Sequence, residues 1–326
     1  MAAFKPFSGF FVLSVFLLFA FNPTDGQGQL EVGFYKKTCP QAEAIIKNVT
    51  DYVMKVAPTL GAPLMRMHFH DCFVRGCEGS ILLSSPTNQA EKDAIPNQSL
   101  RGFQVIDNAK VELEKACPGV VSCADTVAIV ARDVTVKLGA ERWEVETGRR
   151  DGRVSNITQA SNEVLSPFLN ITQLISGFQK KGLSVKDLVV LSGGHTVGTS
   201  HCFSFGSRMY NFTGKGDTDP SMDRKYIPYM KKKCNATDVT TLVALDPGSF
   251  KTFDTNYYTL VAKRRGLLHS DAALLDNPET RAYVIQATTH KSTFFKDFGV
   301  SMVRMGRIGV LTGSAGEIRR VCSKVN

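Results

Sequence analysis

Residues 62–80, APLMRMHFHDCFVRGCEGS, hold two arginines, two histidines, two acids and two cysteines within nineteen positions. Arg66 and His70 stand four apart, so on a helix they project from one face, while His68 points elsewhere. A guanidinium and an imidazole converging on one point suit heterolytic cleavage of a polarised bond: the base moves a proton and the fixed cation stabilises the developing anion. Standing alone, the pair would more simply be a surface arginine beside a satisfied core histidine. Oxygen donors follow at tight intervals: Asp71, Glu78 and the Ser80 hydroxyl, with the carbonyls of Val74 and Gly76 between them. Such hard donors suit calcium, although the EF-hand spacing is absent and a solvated acidic loop is the alternative. A secreted metallohydrolase using His68 and His70 is disfavoured, because residues two apart on a helix diverge and no H-E-x-x-H accompanies them.

The elements that must hold this stretch are mostly helical. PQAEAIIKNVTDYVMKV, residues 40–56, carries apolar positions at helical spacing behind a proline suited to a first turn. GFQVIDNAKVELEKAC and SCADTVAIVARDVTVKLG repeat the pattern, the second stopping on Gly139. SVKDLVVLSGGHTVG opens on a capping box, Ser184 with Asp187, and its apolar run leads to His195. Further helices are expected at 171–182, 202–211, 221–234, 255–265 and 278–305, and strand signals are confined to short pieces such as WEVETG. The expected fold class is all-α with minor β, in one cooperative domain without repeats or linkers.

The 326 residues, 43% of them apolar, can bury a substantial core. One lysine, an apolar run from Gly9 to Phe21 and then small polar residues predict a secretory signal peptide over residues 1–28, with the remaining domain at 29–326. The run is shorter than the about 20 residues a membrane span needs. Secretion favours disulfides among the eight cysteines, where four bridges are the default and composition cannot choose the pairing; Cys72 and Cys77 have the spacing of a local bridge. Glycan acceptors at Asn48, Asn97, Asn156, Asn170, Asn211 and Asn235 suit the same compartment. The net charge of +9 comes without a nucleic-acid motif, so no nucleic-acid partner is expected, and a basic enzyme held near acidic extracellular polymers is the better reading.

The string RMHFHDCFVRGCEGSILL, with EKDA at 91–94, SCAD at 122–125, GRRDG at 148–152, LSGGHTVG at 191–198, FDTNYY at 253–258 and GLLHSD at 266–271, closely resembles the secretory plant peroxidases, the class III haem peroxidases. The resemblance runs from about Gln29 to Asn326. It implies two helical lobes sandwiching one haem b. His195 would bind the iron and donate its other N–H to Asp271, which makes the ligand more electron-rich. His70 would take a proton from hydrogen peroxide and return it to the departing oxygen, Arg66 would stabilise the charge of the breaking bond, and Asn97 would hold the His70 tautomer in a hydrogen-bonded chain with Glu91. Phe69 would restrict access, so that small phenolic reductants give electrons one at a time at the haem edge.

The resemblance also implies two calcium ions, one held by Asp71, Val74, Gly76, Glu78 and Ser80, the other by Thr196, Asp246, Ser249, Thr252 and Asp254. It pairs Cys39 with Cys117, Cys72 with Cys77, Cys123 with Cys322 and Cys202 with Cys234. Glu78 stands where aspartate is common and Ser249 where threonine is. In EVLSPF, residues 163–168, Leu165 replaces the first of two family prolines; with Pro167 and Phe168 it would border the aromatic-donor site. Asn97 is expected to be buried and therefore unglycosylated. The chain stops four residues after Cys322, without a long extension of the kind that redirects proteins to the vacuole, and a monomer delivered to the cell wall is expected. The competing reading is a wall glycoprotein of the same fold without turnover, whose mark would be loss of Arg66, His70 or His195; all three are present.

Overall fold

The structure is a computed structural model that describes residues 1–3 and 29–326, so the expected signal peptide falls almost wholly outside the described residues. Helix α1, Ala42–Val56, buries Ala42, Ile46, Thr50 and Val53 at helical spacing, with Glu43 in its first turn and Lys55 in its last, each complementing the helix dipole. It packs with α2, Gly61–Val74, α3, Phe103–Ala116, and α4, Cys123–Lys137, around a first core. Every α4 residue from Cys123 to Thr135 is buried. Such a helix lies at the centre of its lobe, and its polar residues must be paired. Arg132 bonds Glu43 at 2.9 Å and the neighbouring Asp133; Asp125 accepts from Tyr35 Oη at 2.6 Å and from Arg149 at 2.8 Å. Asp151 accepts from the N–H groups of Cys123 and Ala124, filling the donor-rich start of α4. The SCAD and GRRDG motifs are thus two halves of one buried polar joint.

After α5, Ile157–Glu163, a second core is built by α6, Ile171–Lys180, α7, Val185–Ser192, and four later helices. Helices α8, Ser207–Tyr210, and α9, Ile227–Lys231, are short and enclose a small third core around the Cys202–Cys234 disulfide. Then come α10, Asn256–Ala262, α11, His269–Ala273, α12, Pro278–Ala287, and α13, Lys291–Met305. Helix α2 lies between the lobes: Leu64 and Met67 belong to the first core, Phe73 to the second. Two small antiparallel sheets complete the fold, β1, Glu31–Val32, with β2, Glu146–Thr147, and β3, Thr199–His201, with β4, Leu242–Ala244. Disulfides join Cys39 to Cys117, Cys72 to Cys77, Cys123 to Cys322 and Cys202 to Cys234.

Three expected helices differ. The 278–305 span is two helices because Thr288 and Thr289 turn their hydroxyls onto the carbonyls of Ile285 and Gln286, competing with the helix ladder. Of 221–234 only α9 is helical, since Asp223 is held by the Arg264 carbonyl and the Arg265 guanidinium. In 202–211 a 3-10 turn at Cys202–Ser204 breaks at Phe205 before α8.

Candidate functional site

Along α2 the residues less than fully buried include Ala62, Met65, Arg66 and Phe69, one stripe at helical spacing, while Leu64, Met67, His68 and His70 are buried. The stripe faces the segment that carries His195. A Cβ on Gly194 would stand 3.2 Å from Met65 Cε, and one on Gly198 2.9 Å from Ala62 Cβ. Glycine at these positions lets the two walls approach.

The 3-10 turns at Glu91–Asp93 and Ile95–Asn97 fix the polar side chains of α2. Asn97, buried, donates from Nδ2 to the Glu91 carbonyl at 2.6 Å, which orients its amide oxygen toward His70 Nδ1 at 2.5 Å. An amide oxygen only accepts, so Nδ1 carries the hydrogen and Nε2 is the basic nitrogen. Arg66 donates to Ser99 Oγ at 2.9 Å and to the Pro96 carbonyl at 2.8 Å. Burial brings the guanidinium down to about 10, still charged at neutral pH. Burial and then the Arg66 charge drive the His70 imidazolium well below the usual histidine range, and the Asn97 hydrogen bond only partly opposes them. His70 is therefore a neutral base held beside a fixed cation. His68 diverges to the Cys72 sulfur at 3.6 Å; it clusters with Cys72 and Cys77, but those sulfurs are bonded to each other and offer no thiolate.

On the other wall, His195 follows α7, whose capping box unites Ser184 and Asp187. Its Nδ1 lies 2.8 Å from Asp271 Oδ1, which also accepts from Tyr257 Oη at 3.0 Å, while Leu268 N–H donates to the second oxygen at 2.9 Å. Burial would raise the Asp271 pKa, but the His195 ring and these hydrogen bonds outweigh it and hold the carboxylate ionised. Gly193, Gly194 and Thr196 are buried, whereas the His195 side chain is 37% exposed, with no partner for Nε2 among the described residues. A ring nitrogen left open opposite a carboxylate-bound one is the arrangement of a metal-ligating histidine. Half-exposed Met65, Phe69, Leu165 and Leu191 supply apolar surface on the same core. This donor and this lining fit an iron porphyrin.

Two oxygen clusters flank the walls. In the first, Asp71 accepts from the N–H groups of Gly79 and Ile81, Arg75 donates to Glu78, and Ser80 Oγ and both Glu91 carboxylate oxygens are buried without a partner among the described residues. Burial, with like charge from Glu78, raises Asp71 to about 7; burial, with like charge from Asp71, raises Glu91 to about 8. The Gly76 carbonyl accepts from Glu78 N–H, and that of Val74 accepts from Lys181 Nζ at 2.8 Å, which leaves each one lone pair. In the second, Thr196 Oγ1 lies 3.3 Å from Asp246 and 3.1 Å from Asp254, Ser249 Oγ is buried without a partner among the described residues, and Thr252 sits exposed at the rim, its N–H on the Ser249 carbonyl. Crowded carboxylates and orphaned hydroxyls suit a divalent cation in both.

Leu165 packs against Gly177 of α6, the Pro167 carbonyl accepts from Ser270 N–H, and exposed Phe168 meets Phe203 edge-on at 6.2 Å. Sequence reasoning gave no role to Pro96, Ser99, Tyr257, Lys181 or Asn256, whose amide holds Asp246 at 2.6 Å. Only FDTNYY, which contains Asn256 and Tyr257, held any signal for them.

A family profile described as Peroxidase matches residues 45–290. Peroxidase 27 of Arabidopsis thaliana is 63% identical over 316 residues, covering 97% of this chain and 98% of the relative. Peroxidase 56 of the same plant is 58% identical over 330 residues, covering all of both chains. Peroxidase 1 of Oryza sativa subsp. japonica is 52% identical over 322 residues, covering 97% of this chain and 98% of the relative.

Proposed function

The chain belongs to the class III plant haem peroxidases, oxidoreductases that act on hydrogen peroxide, and from that premise we propose that Arg66, His70 and Asn97 form its peroxide-activating wall and His195 with Asp271 its haem-holding wall. The observation that carries the assignment is a histidine on each wall, each tied through Nδ1 to a fixed acceptor and each leaving Nε2 without a partner among the described residues.

One haem b would bind through His195 Nε2 and supply the redox chemistry. His70 Nε2 accepts the proton of the peroxide oxygen nearest it and returns it to the oxygen that leaves as water. Arg66, anchored by Ser99 and Pro96, stabilises negative charge on that oxygen. Asn97 keeps Nδ1 protonated, so the ring always presents its basic nitrogen. Asp271 increases electron density on His195. Phe69 narrows the approach from the α2 side, and small phenols give their electrons at the edge bordered by Leu165, Pro167 and Phe168. Two calcium ions would occupy the clusters at Asp71, Val74, Gly76, Glu78 and Ser80 and at Thr196, Asp246, Ser249, Thr252 and Asp254. We assign the protein to the cell wall after loss of residues 1–28, as a monomer whose basic surface favours acidic polymers; the apolar N-terminal run and the +9 charge support this.

Substitution tests the walls separately. His70→Leu keeps the haem absorbance band but slows its response to peroxide by on the order of 10²- to 10⁴-fold; His195→Ala folds with little bound haem. A His70→Leu enzyme that responds as fast as wild type contradicts the assignment.

A further inference from the structure

Tyr257, which donates to the same Asp271 oxygen as His195, begins a line of tyrosines that leads out of the molecule. The His195 and Tyr257 ring centres are 5.9 Å apart, those of Tyr257 and Tyr258 5.1 Å, and those of Tyr258 and Tyr283 6.0 Å. Tyr257 and Tyr258 are fully buried; Tyr283, on α12, is half-exposed. We propose that Tyr283 is a second oxidation site of this enzyme, at which phenolic donors too bulky for the haem edge give up electrons that travel inward through Tyr258 and Tyr257. The proposal rests on haem being held by His195.

The hydroxyl partners along the line decide where an oxidised tyrosine can rest. A phenol that loses an electron becomes a strong acid and must pass its proton to a base. Tyr258 Oη donates to the backbone carbonyls of Val189 and Val190, which cannot keep a proton. Tyr257 donates to Asp271, whose carboxylate is already committed to His195 and Leu268. Tyr283 Oη donates to Asp297 Oδ2 at 2.9 Å, a carboxylate near the surface whose other oxygen accepts from Lys186 at 2.8 Å. Asp297 can take the Tyr283 proton and hold it. A second branch runs from Tyr258 through Phe294 and Phe298 to Trp143, at 5.1, 5.8 and 6.0 Å. Phenylalanine rings are far harder to oxidise than phenols, so that branch ends before the tryptophan.

Hydrogen peroxide supplies the oxidising equivalents. Tyr283 gives one electron inward and its hydroxyl proton to Asp297, leaving a neutral phenoxyl radical. A phenol at the surface then returns one electron to Tyr283 while Asp297 returns the proton, and the donor departs as a phenoxyl radical after losing its own proton to water. Two such turnovers reduce one hydrogen peroxide with two protons to two waters, so that two phenols become two phenoxyl radicals.

The test is freeze-quench electron paramagnetic resonance on the haem-loaded enzyme after one equivalent of peroxide, with the haem absorbance followed in parallel. Wild type should give a tyrosyl signal that is lost in Tyr283→Phe and kept in Trp143→Phe and in Tyr229→Phe, which alters an exposed tyrosine outside the line. Asp297→Asn, which keeps every ring and removes the proton acceptor, should also abolish the signal. Oxidation of a polymeric phenol should fall in Tyr283→Phe while that of a small phenol holds. A tyrosyl signal that survives Tyr283→Phe, or none at all in protein whose haem band responds to peroxide, overturns the proposal. A haem band that ignores peroxide overturns the haem-pocket reading and the relay with it.

Discussion

The base role proposed for His70 needs a neutral ring, and burial with the Arg66 charge lowers its pKa well below 6.5. The neutral ring is the form that survives above the depressed pKa, so activity is lost only as pH falls through it. The rate of peroxide reaction should therefore stay level as pH drops through 6.5 and decline at lower values, which stopped-flow measurement of the haem band across pH would show. On the other wall, Asp271→Asn removes the charge behind His195 and should cost about 10- to 100-fold in peroxide turnover or haem affinity. The fourfold spacing of Arg66 and His70 was legible because it needs only helix geometry. Of their anchors, Asn97 was reached only through the resemblance and Pro96 and Ser99 not at all, because all three lie about thirty residues downstream, in a turn that no periodicity marks.

At the scale of elements, the loops that close the oxygen clusters carry a test whose sign depends on calcium. Ser80 Oγ and Ser249 Oγ are buried hydroxyls with no partner among the described residues. Removing an unsatisfied buried hydroxyl is neutral or stabilising, whereas removing a metal ligand is destabilising. Ser80→Ala and Ser249→Ala should thus lower the melting temperature in calcium and leave it level or raised after chelation. Thermal melts that show no difference between the two conditions would refute ion binding there. The long amphipathic helices α1 and α3 could be read from their pattern because burial on one face dictates it, whereas α4, buried all round, was legible from its apolar run and its stop at Gly139. Helix α9 and the break between α12 and α13 could not, since distant partners of Asp223 and local threonine hydroxyls decide them. The β3–β4 pairing joins residues about forty apart, beyond any local signal.

For the molecule as a whole, the cross-links are unequal. Cys123–Cys322 spans a sequence separation of 199, Cys72–Cys77 one of 5. By chain entropy the first should stabilise by about 5 kcal/mol and the second by about 2 kcal/mol, so replacing the first pair with alanine should cost more in a denaturant titration. Of the six glycan acceptors, Asn97 is buried, while Asn48, Asn156, Asn170, Asn211 and Asn235 are exposed. A glycopeptide map should find Asn97 bare, and a glycan there would contradict its place beside His70. The division into two lobes around α2 was legible only through resemblance, because nothing in the composition of α2 says that it serves two cores.

The most direct test of the account is the ultraviolet-visible spectrum of the haem-loaded protein before and after one equivalent of hydrogen peroxide. The account predicts a ferric haem band that shifts to that of an oxidised haem and returns when a phenol is added. Bound haem that leaves peroxide untouched would contradict the roles given to His70 and Arg66, and folded protein that takes up no haem would contradict the role of His195.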